Sequence, residues 1–213
     1  MKNSTKFLGI MIDRYLDFNE HIQYIKGKIS RGLGILFKCR NLFTHKTLLT
    51  LYNSFLYPYI NYCITVWGST LYSYLAPLVK LQKRAIRVIA GKKRYSNTDP
   101  IFRKLKIMKF KQIYLYSVQL FMFKFHHNKL PGIFENYFTR NRSYHTHDTR
   151  ANAMFRPPLV RSAMNKRIIR VIGVRTYNYF APRLNIDCSY LSYKVALRTF
   201  LIMNDLTSID EFI

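Results

Sequence analysis

The sequence predicts a mainly α fold with a short N-terminal β-strand and a basic, loop-rich C-terminal part. Apolar residues recur at three- and four-residue spacing through several long segments, which indicates amphipathic helices. Residues 7–12 are short, apolar and β-branched at two positions, as in a strand. Residues 139–161 hold five arginines and two adjacent prolines without a sustained period, which indicates an extended loop. The 213 residues are 49% hydrophobic, enough to bury a core in one domain or two small ones.

The first predicted helix begins near residue 17, because Asp17 and Asn19 are both suitable N-terminal caps. Its apolar side chains repeat at helical spacing: Ile22, Ile25, Ile29, Leu33 and Leu36. The cations Lys28, Arg31 and Lys38 fall on the other side. This helix is therefore expected to pack through one face and to carry positive charge on the other.

Residues 74–90 separate their apolar and basic side chains most cleanly. At 100° per residue, one side collects the apolar set: Leu75, Leu78, Leu81, Ala85, Ile86 and Ile89. The opposite side collects four cations: Lys80, Lys83, Arg84 and Arg87. No acidic residue of this segment pairs with them, so their mutual repulsion favours a phosphate partner over a merely solvated face.

Further elements are predicted between residues 44 and 203. Thr44 is the expected cap of a second helix, which Pro58 kinks or ends. Residues 109–126 are apolar around nearly the whole helix, so this helix is expected to lie centrally. Residues 166–172 suit either a strand or a helix, and residues 189–203 predict a short final helix.

The charge balance points to a polyanionic partner. Thirty-five Lys and Arg against ten Asp and Glu give a net charge of +25, so the compact state repels itself unless an anion screens it. Residues 80–130 alone carry fourteen basic and one acidic residue, whereas residues 186–213 carry two and four. RNA, DNA or an RNA/DNA hybrid is the expected partner.

The cysteines and the uncharged segment argue against secretion and membrane insertion. Cys39, Cys63 and Cys188 are odd in number and far apart, which indicates neither a disulfide framework nor a zinc knuckle but a reducing compartment. No long apolar segment stands at the N-terminus. Residues 47–79 carry no charge, yet Pro58 and Gly68 interrupt them, so a buried helical hairpin is favoured over a bilayer span.

A series of short motifs then carries a family resemblance. Phe7-Leu8-Gly9-Ile10 is followed by Ile12-Asp13, Asp17-Phe18 and His21-Ile22. The series continues with Lys28-Ile29-Ser30-Arg31, Leu51-Tyr52, Tyr57-Pro58-Tyr59, Tyr62, Trp67-Gly68 and residues 81–87. Its order and spacing resemble the jockey-like reverse transcriptases of non-LTR (LINE-type) retrotransposons. A weaker continuation comprises Thr149-Arg150, Gly173, Tyr177-Asn178 and Pro182, with Phe18 and Tyr177 standing where the family usually has Trp.

This resemblance implies a C-terminal polymerase fragment. Residues 1–18 would be the end of the palm, with Phe7, Leu8, Gly9 and Ile10 as a primer-grip-like strand. Residues 19–138 would form a thumb-like helical domain, and residues 139–213 a basic loop with a small helical extension. The nucleic-acid-binding cations would be Lys80, Lys83, Arg84, Arg87, Lys28, Arg31, Arg140 and Arg142. The missing palm and fingers are possible partners, in a nuclear or cytoplasmic ribonucleoprotein.

The catalytic carboxylates of such a polymerase are not expected here. Two-metal polymerisation needs clustered carboxylates, which the family supplies in an upstream (F/Y)xDD turn, and this sequence contains no DD pair. We therefore expect no polymerisation by this chain alone, no metal site and no cofactor, with Mg²⁺ needed only by an intact parent enzyme. Because Met1 stands five residues before the FLG segment, a truncated copy, a gene-model fragment and a reused remnant are all open.

Two alternatives belong to other classes. His147 and Arg150 fit an HxxR motif, and Tyr177 follows about thirty residues later, as in tyrosine recombinases. No second arginine motif supports that enzyme. A basic protein of membrane surfaces is the other alternative, since cationic amphipathic helices also bind anionic lipid.

Overall fold

The computed structural model describes residues 4–141 and 154–204. It is mainly helical, as predicted, and it divides into two compact units, Met1–Tyr114 and Leu115–Ile213. The first unit contains strands β1 (Ser4–Phe7) and β2 (Ile10–Asp13), and these helices: α1 (Asn19–Cys39), α2 (His45–Phe55), α3 (Tyr57–Asn61), α4 (Ile64–Trp67), α5 (Tyr72–Ile89) and α6 (Asp99–Lys104). Helix α7 (Phe110–His126) begins in the first unit and continues into the second, which adds α8 (Ala163–Lys166), α9 (Ile169–Phe180) and α10 (Tyr190–Met203).

The N-terminal strand prediction is wrong in one respect. Residues 7–12 are not one strand, because the chain reverses at Leu8 and Gly9 and β1 pairs antiparallel with β2. Both turn residues have positive φ, +44° at Leu8 and +85° at Gly9, as a type I′ hairpin turn requires. Glycine adopts this conformation readily, and the hydroxyl of Tyr62 donates to the Leu8 carbonyl at 2.6 Å.

The start of α1 depends on Asp13 rather than on a side-chain cap. The carboxylate of Asp13 accepts backbone N–H groups from Tyr15, Asp17 and Phe18 at 3.1, 3.1 and 2.7 Å. Phe18 is the cap residue, with φ +55° and no capping side chain, so the expectation that Asp17 or Asn19 caps the helix is wrong. Asp17 accepts instead from the backbone of Asn19, at 3.0 Å.

The core of the first unit is centred on α1 and α5, which pack together with α2. The apolar stripe predicted for α1 is confirmed, because all five of its residues are buried. Thr44 caps α2 as predicted, accepting the Thr47 N–H. Pro58 stands in the first turn of α3, directly after α2 ends, which confirms its predicted role as a boundary.

The second unit packs α9 and α10 against the continuation of α7. The predicted central position of α7 is consistent with its burial, since Val118, Met122 and Phe123 are not exposed at all. The rings of Phe123 and Tyr193 stack with centroids 4.5 Å apart. Residues 166–172, which the pattern left between strand and helix, contribute to α8 and α9.

Residues 154–161 hold no helix and no extended strand, in agreement with the predicted loop. Their one pairing is an isolated antiparallel bridge from Phe155 to Arg140. Among the helices that are described, none is long and apolar enough to cross a membrane.

Candidate nucleic-acid interface

Helix α5 is held in place by its apolar face. Leu78, Ala85, Ile86 and Ile89 have no exposed surface, and Leu75 is nearly buried. Their positions repeat every three or four residues, so burial of this stripe directs the remaining positions away from the core. Fully burying a Leu or Ile side chain stabilises the fold by about 1.5–3 kcal/mol, which makes this orientation of the helix hard to reverse.

The four cations of α5 differ in their surroundings. Lys80 and Arg84 are exposed, while Lys83 and Arg87 are half-buried. Arg87 uses one donor within the protein, because its Nε donates to the Ser96 carbonyl at 2.8 Å. The outer face of α5, meaning Lys80, Lys83 and Arg84, is therefore the part of the predicted cluster that a partner can use most directly.

Asp99, at the start of α6, is the one acidic residue within the basic segment 80–130. Its carboxylate lies 2.9 Å from the Nζ of Lys109. That hydrogen bond is the main reason why the pKa of Asp99 is lowered, and the charges of Lys83 and Arg103 lower it further. This single carboxylate lies near several cations and neutralises only part of their charge. The surface therefore keeps a large positive excess, and an anionic ligand would reduce the repulsion between these cations.

Gln82 lies within the basic sequence of α5 but belongs to the core. Its side chain is 1% exposed, and its amide nitrogen donates to the Tyr52 hydroxyl and the Met108 carbonyl, both at 3.0 Å. Its amide oxygen accepts the Phe110 N–H at 2.8 Å. The sequence interpretation missed this role. The available signal was the helical position of Gln82, four residues after Leu78 and four before Ile86.

Several motif residues meet in the core of the first unit. The ring of Trp67 packs against His21, with centroids 5.5 Å apart, and its Nε1 donates to the Tyr62 carbonyl at 2.9 Å. Gly68 has no room for a side chain, because a Cβ would lie 2.5 Å from the Ile64 carbonyl oxygen. These residues therefore set the packing of the unit rather than its surface chemistry.

Comparison with known proteins supports the resemblance in part. The chain is 27% identical over 109 residues to the probable RNA-directed DNA polymerase from transposon X-element of Drosophila melanogaster. It is 34% identical over 108 residues to the RNA-directed DNA polymerase from mobile element jockey of the same species. Over about half of its length, the chain is similar to RNA-directed DNA polymerases.

The extent of that similarity is limited. Each match covers 49% of this chain and 12% of the relative, so the chain matches about an eighth of the length of these polymerases. No protein-family model matches the chain. No solved structure matches it either. The motif-based resemblance is thus confirmed as a partial relationship to retrotransposon polymerases.

The remaining predicted site residues lie at separate places. Lys28 and Arg31 are on α1, outside its buried stripe, and the Nζ of Lys28 lies 5.3 Å from the ring centroid of Tyr24. At the hairpin tip Phe7 is 62% and Leu8 74% exposed, whereas Ile10 is buried. Arg140 belongs to the second unit. Arg142 lies outside the described residues, as do His147 and Arg150.

Arg140 and Tyr177 meet at His126 in the second unit. Nδ1 of His126 lies 2.7 Å from the Tyr177 hydroxyl and 3.2 Å from an Arg140 nitrogen. Because a guanidinium only donates, Nδ1 accepts, which places the proton of the neutral ring on Nε2, 3.8 Å from Asp187. Burial and the charge of Arg140 lower the pKa of His126, and burial raises that of Tyr177 to about 12.

Within residues 4–141 and 154–204, no group of three or more His, Cys, Asp or Glu side chains is placed to hold a metal ion. The carboxylates of Asp13 and Asp17 each accept backbone N–H groups.

Proposed function

We propose that this chain is the C-terminal, thumb-side part of a jockey-like RNA-directed DNA polymerase and binds the RNA/DNA template-primer. The outer face of α5 carries the main contact. One observation supports this assignment above others: Lys80 and Arg84 are exposed opposite an apolar stripe that is buried except at Leu81, which is half-buried. The partial similarity to two RNA-directed DNA polymerases supports nucleic acid as the partner.

The binding rests on phosphate neutralisation. A helix that presents Lys80, Lys83 and Arg84 along one face follows a phosphate backbone without reading bases, because cations release condensed counterions at any sequence. Lys28, Arg31 and Arg140 add positive charge outside α5. Arg142 is part of the same proposed set of nucleic-acid-binding cations. The exposed side chains of Phe7 and Leu8 at the hairpin tip suit a contact near the primer end, as the primer-grip-like role requires.

Catalysis is proposed to belong to other parts of the parent enzyme. The chain would bind template-primer together with a palm and fingers that supply the carboxylates and Mg²⁺, within an intracellular ribonucleoprotein. The purified chain is accordingly expected not to extend a primer with Mg²⁺ or Mn²⁺. Incorporation that is abolished by a mutation within this chain would contradict that expectation.

The test of the proposed binding surface is a salt titration. Lys80, Lys83 and Arg84 are changed together to Gln, which keeps helix propensity and removes three charges. On a blunt RNA/DNA hybrid, the slope of log affinity against log salt is expected to fall by about two to three units, since each phosphate contact contributes about 0.9. Arg87 is left unchanged because it also holds the Ser96 carbonyl.

The matched control removes three exposed lysines of the second unit, Lys124, Lys129 and Lys166, in the same way. Both triple variants lose the same net charge, so a difference between them reports location rather than total charge. A smaller change of slope in the control supports the α5 surface. Equal slopes in both triple variants would show that α5 holds no preferred site.

A further inference from the structure

A cavity of about 630 Å³ lies beside the C-terminal end of α5, entirely within the first unit. Its lining includes the apolar side chains of Ala90, Ile101 and Leu105. Lys92 and Lys104 are among the residues that line it, and both are exposed cations. None of the described residues that line the cavity is acidic. Its volume lies in the range of small-molecule sites, which are mostly apolar with a few polar groups.

The walls of this cavity are held by hydrogen bonds. Gly91, with φ +62°, ends α5, and the Lys92 N–H donates back to the Arg87 carbonyl at 2.9 Å. The side chain of Arg87 in turn donates a hydrogen bond to the Ser96 carbonyl. His45, at the start of α2 and also in the lining, is hydrogen-bonded to the carbonyl of Ile89. Hydrogen bonds within the protein therefore hold the loop between α5 and α6 in place.

The residues that line the cavity indicate which class of ligand it binds. Apolar lining residues pack favourably against a flat, weakly hydrated ring. Two cations, with no carboxylate among the residues that line the cavity, favour an anionic group. A nucleoside monophosphate combines both features in one unit. A purely apolar ligand would make no charged contact with the two lysines. An inorganic anion would leave the apolar lining residues in contact with water.

We propose that this cavity, the α5–α6 pocket, binds one unpaired nucleotide of the nucleic acid held by α5. Its base lies against Ala90, Ile101 and Leu105, and its phosphate contacts Lys92 and Lys104. This inference rests on the proposed function, because α5 is what brings the strand to the pocket. It adds a local preference: a strand end or bulge adjoining the duplex is bound in addition to the phosphate backbone.

The experiment compares a blunt RNA/DNA hybrid with the same hybrid carrying one unpaired fluorescent adenine analogue at a strand end. The full chain is expected to bind the second hybrid roughly tenfold more tightly, as one additional charge-assisted contact implies. Fluorescence of the analogue reports its stacking in the pocket. Changing Lys92 and Lys104 to Gln should abolish the preference, whereas the control change of Lys26 and Lys38 should preserve it.

A second variant tests whether binding needs the free volume of the α5–α6 pocket rather than the charges of its lysines. Ala90→Tyr fills the pocket and leaves both lysines in place, and Ala90 has an ordinary negative φ that accepts a larger side chain. It should remove the preference for the unpaired nucleotide while binding to the blunt hybrid stays unchanged. Circular dichroism of each variant verifies that it is folded.

Free adenosine monophosphate and inorganic phosphate separate the possible sources of the ligand. Displacement of the analogue by adenosine monophosphate, and not by phosphate, shows that the pocket recognises base and phosphate together. Equal displacement by phosphate alone, or equal affinity for the two hybrids, would overturn the proposal. The salt slope on the blunt hybrid tests the α5 surface independently, so failure of the pocket and failure of the proposed function give different results.

Discussion

Gln82 donates a hydrogen bond to the hydroxyl of Tyr52 at 3.0 Å, in the middle of the core of the first unit. The same amide group also satisfies a carbonyl of Met108 and an N–H of Phe110 at the start of α7. One buried side chain thereby links α2, α5 and the segment that leads into α7. A buried network of this kind is stabilising only while each member keeps its partner.

Replacing Gln82 by Leu is expected to lower the free energy of unfolding by about 2–4 kcal/mol, because three buried polar groups lose their partner. Tyr52→Phe should cost less, about 1–2 kcal/mol, and the double variant less than the sum of the two. Urea unfolding measures all three. Gln23→Leu, on the exposed side of α1, serves as control and should change stability by less than about 0.5 kcal/mol. A Gln82→Leu protein as stable as the control would show that the network contributes nothing.

The glycines of α1 offer a matched pair. A Cβ on Gly32 would lie 3.0 Å from the Phe55 carbonyl oxygen and 2.9 Å from a methyl of Leu56, whereas one on Gly34 would meet nothing within 4 Å. Gly32→Ala is therefore expected to destabilise the chain by about 1–3 kcal/mol. Gly34→Ala should stabilise it by about 0.5–1 kcal/mol, the usual gain in a helix interior. Thermal unfolding compares them, and equal shifts in both would contradict the close contact of α1 with α2.

Recombinase chemistry is not expected at Tyr177. Its side chain is 3% exposed and its hydroxyl is bonded to His126, so a phosphate cannot reach it without rearrangement. Burial also raises its pKa to about 12, which disfavours the nucleophilic phenolate. Incubation with DNA followed by denaturation should leave no covalent complex. A denaturant-resistant adduct that Tyr177→Phe abolishes would establish strand-transfer chemistry and refute this expectation.

Alkaline pH should destabilise the protein through its buried tyrosines. Burial raises the pKa of Tyr52, Tyr114, Tyr177 and Tyr193 in the folded state. An unfolded tyrosine ionises near pH 10, so the stabilisation from the neutral side chains is complete below about pH 10 and is lost as the pH rises through the folded values. The free energy of unfolding should therefore fall from about pH 10 upward.

Urea midpoints measured between neutral pH and this alkaline range follow the loss, with ultraviolet absorbance reporting tyrosinate. Tyr193→Phe removes one of the four groups and should make the decline shallower, by at most about 1.4 kcal/mol per pH unit. A decline of equal steepness in this variant would assign the alkaline effect to other groups.

Periodic patterns were enough to predict most of the longer helices, α1, α2, α5, α7 and α10. The apolar stripes of α1 and α5 follow from spacing alone, because burying one face of a helix requires apolar residues every three or four positions. Thr44 marks the start of α2 and Pro58 stands just after its end, both through local backbone chemistry. The positive charge of residues 80–130, and the exposure of Lys80 and Arg84 opposite the apolar stripe, were likewise readable from the sequence.

Positions that depend on distant partners were not readable. The turn at Leu8 and Gly9 looks like the interior of an apolar strand, and only its pairing geometry and the hydroxyl of Tyr62 identify it. Asp13 stands out in the sequence only as part of the Ile12-Asp13 motif, yet its carboxylate accepts backbone N–H groups of the segment that leads into α1. In such cases the competing arrangements have similar local energies, so contacts far along the chain decide between them.

By itself, the sequence determined the helical class of this protein, the face through which α5 packs and the excess of positive charge that calls for an anionic partner. The tertiary structure decided which polar residues are structural and which remain available. It placed the side chain of Gln82 in the core, although Lys80 and Lys83 stand on either side of it in the sequence of α5. It placed Arg87 where its side chain donates a hydrogen bond to the Ser96 carbonyl. It also formed the pocket beside Ala90. The physical reason is that charge and periodicity are local properties of the chain, whereas the satisfaction of buried polar groups and the shape of a cavity depend on which segments meet.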